Sequence, residues 1–323
     1  MNARNMIGML TLASLAGFTS WSNAQNYPNR AIRIIVPLGP GGGTDLVTRI
    51  VSQQLSEQLG SQVIVENRPG GGTVIGTEAI ARAAPDGYTL GAAAAELSIN
   101  PSLRKLPYDT ARDFTCITQM TSGQYFLSTH PSVPVKTVRQ FVALAKSRPG
   151  EITYGSSGPG SANQLAGVLL QQLAKIKLLH VPYKSGGLAN TALLSGEVDF
   201  LFSNTASAIP HVRSGRIRAI ATTGLNRSPI APDVPTVSES GIPQFDVRGF
   251  YLLLGPAGIP QPIVTKLNGE IVKALNVPAV KNRLDQLGAE PVGSSPEACS
   301  ALIKTEIAKW EPVVRDSGAK VDR

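Results

Sequence analysis

A chain of 323 residues that is 42% hydrophobic has the length and apolar content for one large or two ordinary globular domains. Its Lys and Arg residues outnumber Asp and Glu by 30 to 22, but they are spread along the chain without a basic block or interleaved aromatics. That pattern argues against nucleic acid and leaves small anions as partners. Two cysteines are too few for a disulfide framework, and three scattered histidines lack the Asp or Glu spacing of a metal site.

The chain opens with Arg4 and an apolar run from Met6 to Phe18, followed by the small residues of "SNA" before Gln25. Residues 1–24 therefore read as a secretory signal rather than a membrane anchor, since a span needs ~20 apolar residues. Export into a bacterial periplasm is expected, a compartment where ATP and nicotinamide cofactors are not normally available. No cofactor is expected. One disulfide between Cys116 and Cys299 is permitted there, but nothing in the sequence places the two together, and two separate buried thiols are the expectation.

The stretch "IRIIVPLGPGGGTDLVTRIVSQQL" runs from a strand through a glycine loop into a helical pattern. After it, "SQVIVEN", "GYTLGAA", "YFLSTHP", "ITYGSSG", "KLLHVPY", "VDFLFSN", "IRAIATTG" and "FYLLLGPAG" read as strands. Amphipathic helices are expected between them at Leu46–Leu59, Val138–Lys146, Ala162–Leu173, Gly187–Ser195 and Ile263–Leu275. "NRPGGGTVIG" reads as a turn into a helix over Thr77–Ala84, and "RAAPDGYTL" as helix end, turn and strand. The last fifty residues read as helices that pack back onto the first part of the chain. This alternation predicts an α/β architecture with mainly parallel sheets, in two lobes joined by chain crossings. Residues 25–124 form the first segment of lobe I, 125–250 lobe II, and 251–323 a return to lobe I.

The first glycine loop fails as a nucleotide site. It has no Lys for a phosphate-binding loop, and Thr44 stands where the dinucleotide fingerprint needs its third glycine. Glu66 sits at the distance of a ribose-binding acid but is a decoy without that glycine. A second loop of the same design runs "ITYGSSGPGSANQLAGVLLQQL". It has no G-x-S-x-G elbow, and no His or Asp context supports Ser156 or Ser157 as a nucleophile. Two strand–glycine–helix loops, one per half, instead point to a small anion held by exposed helix N-termini.

The motifs "YPNRAIRIIVPLGPGGGTD", "VIVENRPGGGTVIGTEAIARAAPDGYTL", "INPSLRKLPYD", "YGSSGPGSANQLAG", "HVPYKSGGLANTALLSGEVDFLF", "VPTVSESG" and "LLLGPAGIPQPIVTKLN", in this order, resemble the TctC or Bug family of extracytoplasmic solute receptors. The resemblance covers nearly all of the chain after residue 24. It implies a two-lobed type II periplasmic-binding-protein fold closing on a small carboxylate, with no catalysis. It further implies a grip by Gly41, Gly42, Gly43, Thr44 and Asp45 in lobe I and by Ser156, Ser157, Gly158, Gly160 and Ser161 in lobe II. Asp45, being acidic, is expected to cap its helix or orient the loop.

By position in the family pattern, specificity falls to Leu38, Glu96, Leu97, Ser98, Tyr183, Ser203, Asn204, Thr205, Phe250 and Tyr251. Several depart from it: Leu38 replaces a frequent aromatic, Phe250 a frequent Trp, Ser203 a common Asp, and "AEL" a stretch that often carries Thr and His. A plain mono- or dicarboxylate is the preferred ligand class, with aromatic acids next. An amino-acid ligand would need an acid near its ammonium, which falls to Glu96 in the absence of Asp at 203. The expected protein is a monomer that delivers its ligand to membrane transporter subunits. A sensor reporting to a signalling kinase and, more remotely, a secreted hydrolase are the alternatives.

Overall fold

A computed structural model describes residues 27–183 and 185–317. The expected signal segment, residues 1–24, lies outside them. Among the described residues no helix is long and apolar enough to cross a membrane.

The chain begins β1 (Ile32–Val36), α1 (Gly43–Leu59), β2 (Val63–Asn67), α2 (Val74–Ala81), β3 (Thr89–Ala93), α3 (Glu96–Leu103) and β4 (Phe114–Thr129). It continues through α4 (Val138–Ser147), β5 (Thr153–Ser156), α5 (Ala162–Ala174), β6 (Leu179–Pro182), α6 (Gly186–Ser195), β7 (Phe200–Asn204), α7 (Thr205–Arg213) and β8 (Arg218–Thr222). The last elements are β9 (Arg248–Pro256), α8 (Gln261–Asn276), α9 (Pro278–Gln286), β10 (Glu290–Pro291) and α10 (Pro296–Ser317).

Local chemistry accounts for the helices that matter here. Helix α1 buries Thr44, Val47, Thr48, Val51 and Leu55, one stripe at helical spacing, and ends at Gly60 with a left-handed φ of 62°. Helices α5 and α6 start at Ser161 and Ser185, whose side chains accept the N–H of Gln164 and Leu188. Such caps supply an acceptor to a first turn that has none of its own.

The strands form one curled sheet in the order β2-β1-β3-β9-β4-β7-β5-β6, with β8 and β10 also pairing β4. The parallel pairing predicted by the alternation holds in the outer strands: β1 with β2 and β3, and β5 with β6 and β7. The seam is antiparallel, because β4 runs from one half into the other and β9 returns beside it. Up to Gln124, which lies opposite Arg248, β4 pairs with β9; from Tyr125 onward it pairs with β7. The Gln124 side chain locks this crossing, its Oε1 accepting the Gly224 N–H at 3.1 Å and its Nε2 donating to Asn226 O at 2.9 Å. Two α/β lobes thus share one strand.

Only the end of β4 was legible in the sequence, as "YFLSTHP". Its first eleven residues, "FTCITQMTSGQ", interleave Cys116, Ile117 and Met120 with Thr, Gln, Ser and Gly, and become strand by pairing with β9. The terminal helix α10 packs on α3 and β4 and also reaches α5. The expectation of two separate thiols is corrected: Cys116 of β4 and Cys299 of α10 form a disulfide with Cα atoms 5.9 Å apart. Packing of α10 on β4 brings together residues separated by 183 positions, a proximity with no local signature.

Candidate functional site

In open α/β sheets, ligands sit beyond the carboxyl ends of the strands. Four such ends converge on the expected site residues. In the first lobe the parallel neighbours β1 and β3 lead into the first glycine loop and into Glu96. In the second, the parallel neighbours β5 and β7 lead into the second glycine loop and into Asn204 and Thr205.

The first loop is open. Gly41 and Gly42 are exposed, and Gly41 has a φ of 80° that favours glycine. Gly42 is the N-cap of α1 and no side chain caps the helix. The first-turn N–H groups of a helix have no intrahelical partner, so those of Gly43 and Thr44 form the positive end of α1. Asp45 is buried, with 2% of its surface exposed. Its Oδ2 accepts the Gly41 N–H at 2.9 Å, and its Oδ1 accepts from Arg49 Nε at 2.9 Å and Asn67 Nδ2 at 3.0 Å. Burial pushes the Asp45 carboxyl up, but the hydrogen bonds from Arg49, Gly41 and Asn67 together outweigh it and hold the group below the usual range. Asn67 Nδ2 also donates to Leu38 O at 3.0 Å, tying β2 to the loop. Asp45 therefore shapes the loop through Gly41. Glu66, the ribose-acid mimic, pairs with Arg33 and Arg68.

The second loop is internally bonded. Gly158 and Gly160 have φ of 114° and 80°. Ser157 N–H donates to Asn163 Oδ1 at 3.2 Å, Gly158 N–H to Ser156 Oγ at 3.0 Å, and Gly160 N–H to Gln164 Oε1 at 2.6 Å. Ser161 Oγ lies 2.6 Å from both Gly158 O and Asn163 Oδ1, which share its single proton. A Cβ at Gly160 would overlap Leu103 of α3, so this loop touches the first lobe.

The sequence offered Ser156 no histidine, yet folding sets His180 Nε2 at 2.6 Å from Ser156 Oγ. Residue spacing could not reveal this, because the contact arises from the parallel register of β5 on β6, Ser156 lying beside Pro182 and Tyr154 beside His180. Ser156 is 0% exposed and its Oγ already accepts the Gly158 N–H. The pair organises the loop, and its hydroxyl is not presented as a nucleophile. Burial lowers the His180 pKa.

A third group forms at the seam. The Tyr251 hydroxyl lies against Cα of Gly43, where an added Cβ would overlap it, and it is hydrogen-bonded to Asn204. Burial pushes this hydroxyl up to about 12, with the nearby Glu96 adding to the rise and Asn204 opposing it. Burial likewise raises Tyr125, assisted by Tyr251, Glu96 and Glu306. Glu96, Asn204, Tyr251 and Gly43 are thereby brought together from both lobes.

The remaining expected specificity residues sit differently. Leu97, Ser98, Ser203 and Phe250 are buried, and Thr205, also buried, donates its hydroxyl to Gln124 O at 2.9 Å. Leu38 packs on the core of the first lobe. Tyr183 donates its hydroxyl to Glu197 Oε1 at 2.8 Å, while its backbone N–H donates to Ser156 O at 2.9 Å. In the third glycine cluster, Asn100 Nδ2 donates to Gly72 O at 2.8 Å and Arg104 Nη1 to Gly71 O at 2.7 Å, which fixes it as a turn. A surface hollow of ≈ 390 Å³, lined by residues including Arg104, Lys105, Tyr108 and Ile307, shares no residue with either loop.

Two lobes sharing a seam strand are the architecture that the chain has in common with solved periplasmic binding proteins. The model of the tripartite tricarboxylate transporter family receptor, TctC, matches residues 47–319, and the chain belongs to that family. It is similar in structure to the periplasmic binding protein BugD, with 33% identity, a TM-score of 0.81, and 91% of this chain and 99% of that one covered. It is similar to the R. palustris protein Rpa4515 with adipate, at 31% identity and a TM-score of 0.83, covering 90% of this chain and 98% of that one. MatC from Rhodopseudomonas palustris with bound malate gives 33% identity and a TM-score of 0.79, covering 89% of this chain and 100% of that one.

Proposed function

We propose that this protein captures a small carboxylate between its lobes in the periplasm and delivers it to the membrane subunits of a transporter. The carboxylate rests on the open helix end of Gly41–Asp45 and is closed over by Ser156–Ser161, whose Ser157, Gly158 and Gly160 amides are already donated within the loop, with Asp45 orienting its own loop rather than touching the anion. A ligand that contacts both loops is satisfied only when the lobes are closed, so binding shifts the population toward the closed form that the transporter reads. The lobes divide as 25–124 with 251–323, and 125–250, in keeping with the change of β4 partner after Gln124.

The observation that carries this reading is the uncapped, exposed N-terminus of α1, with Gly42 at its N-cap, facing the Tyr251–Asn204 pair that links the lobes. Adipate and malate in two relatives match the chemistry such a terminus accepts. The protein acts by binding, without turnover. Calorimetry of the purified protein with malate and adipate tests it, with ATP and NAD as controls. Saturable binding of a carboxylate with no product formed is the expected result. Binding of the nucleotides alone, or hydrolysis of an ester by Ser156, would overturn it.

A further inference from the structure

Glu96 stands apart from every other acidic residue near the site. It opens α3 immediately beyond the end of β3. Its Oε2 is enclosed and has no hydrogen-bond partner, the one carboxylate oxygen in that condition among the described residues. Burial raises the carboxyl pKa, its own backbone amide opposes this, and no cation is among the influences on it. Asp45, by contrast, is buried and fully engaged by Arg49, Asn67 and Gly41.

Buried polar groups in native proteins are almost always paired, and an unpaired carboxylate is the costly exception. The surrounding protein does not supply the missing partner. The hydroxyl of Tyr251 is engaged with Asn204 and rests on Gly43, and Tyr125 of β4, a neutral group, lies near enough to be influenced by Glu96. Ser203, at the end of β7, is fully buried and carries no charge. The seam thus places one carboxyl with an unpartnered oxygen close to the open helix terminus of α1.

We infer that Glu96 receives the ammonium group of a ligand whose carboxylate is held by the glycine loops, so that the protein selects amino-carboxylates over plain acids of the same skeleton. The inference rests on the carboxylate-receptor reading and narrows its ligand class away from the plain acids that the sequence favours. A zwitterion answers both ends of the site, its carboxylate at Gly43 and its ammonium at Glu96, and the pairing relieves the unsatisfied oxygen only when the ligand is bound. The same oxygen, enclosed and without a donor, offers a second carboxylate no hydrogen bond.

Calorimetry with matched pairs tests this on the purified protein: aspartate against succinate, glutamate against glutarate, and alanine against propionate. At least one amino acid should bind about tenfold or more tightly than its plain counterpart, the scale of one charge-assisted hydrogen bond. In Glu96→Gln that preference should collapse to within about threefold, with the plain acid bound as well as before or better. The wild-type comparison requires no variant, and a melting curve establishes that Glu96→Gln is folded. Equal or tighter binding of the plain acids by the wild-type protein overturns the role of Glu96 and leaves the carboxylate receptor standing. Absence of heat from all six acids overturns the role of Glu96, and silence from malate and adipate as well overturns the carboxylate receptor.

Discussion

The Tyr251 hydroxyl occupies the space where a side chain on Gly43 would begin, so the first residue of α1 is glycine because a seam tyrosine lies against it. Helix propensity alone favours alanine there by about 1 kcal/mol. Overlap with the half-buried Tyr251 ring opposes it by about 1–3 kcal/mol. Gly43→Ala should therefore lower the melting temperature, and the loss should shrink in a Tyr251→Phe background, where the overlapping oxygen is gone. An unchanged melting temperature in the single variant would mean that Tyr251 moves aside freely.

Gly42 separates stability from binding. Its φ of −77° and ψ of 166° suit any residue, and an added Cβ meets only Gly39 O at 3.8 Å. Gly42→Asp places a favoured acceptor at an uncapped helix start, which adds a few tenths of a kcal/mol and sets a negative charge at the positive helix end. Thermal stability should hold or rise while carboxylate affinity falls by about tenfold or more, because the new carboxylate competes for the same amides. Parallel melting and calorimetric curves check both signs. Retained affinity would dismiss the helix terminus as the anion's seat.

The two loops were legible because their physics is local: strand, glycine, helix start, all within one short stretch. Loop one's support was only half legible. Arg49 lies one helical turn after Asp45, a pairing that charge spacing reveals, but Asn67 arrives through the β1–β2 pairing, 22 positions away. His180 met Ser156 through strand register and Cys116 met Cys299 through helix packing, neither of which leaves a periodic trace. The first part of β4 carries too many Thr, Gln and Gly residues to read as a strand until β9 lies beside it. Glu96 is legible as a departure from a family pattern, but its nearness to Tyr125 of β4 and Tyr251 of β9 is set by the sheet and leaves no sequence trace.

His180 gives the second loop a pH dependence of known sign. Burial depresses its folded pKa below the ordinary value of about 6.5. Below that ordinary value the unfolded chain binds the extra proton more readily than the folded one, so stability is full above it and falls as pH drops toward the depressed folded value. Melting temperatures measured between about pH 7.5 and 5 should decline on acidification, and His180→Gln should flatten the part of the decline due to this residue. Carbon NMR of the imidazole should place its midpoint below about 6.5. A midpoint at or above it would contradict the burial argument.

The disulfide ties the seam strand to the terminal helix. It closes a separation of 183 residues, and a crosslink of that span restricts the unfolded chain strongly, for a contribution of about 2–5 kcal/mol. Both sulfurs lie in the core, Cys116 at 3% and Cys299 at 0% exposure, so the substituted side chains must be small to avoid a packing loss of their own. Reductant should shift the urea midpoint of the wild-type protein downward and leave Cys116→Ala/Cys299→Ala unmoved. Because α10 packs on α3, β4 and α5, its release should show first as faster proteolysis within 296–317, before the sheet opens. A wild-type midpoint indifferent to reductant would show that packing of Trp310 and Val314 holds the helix without the crosslink.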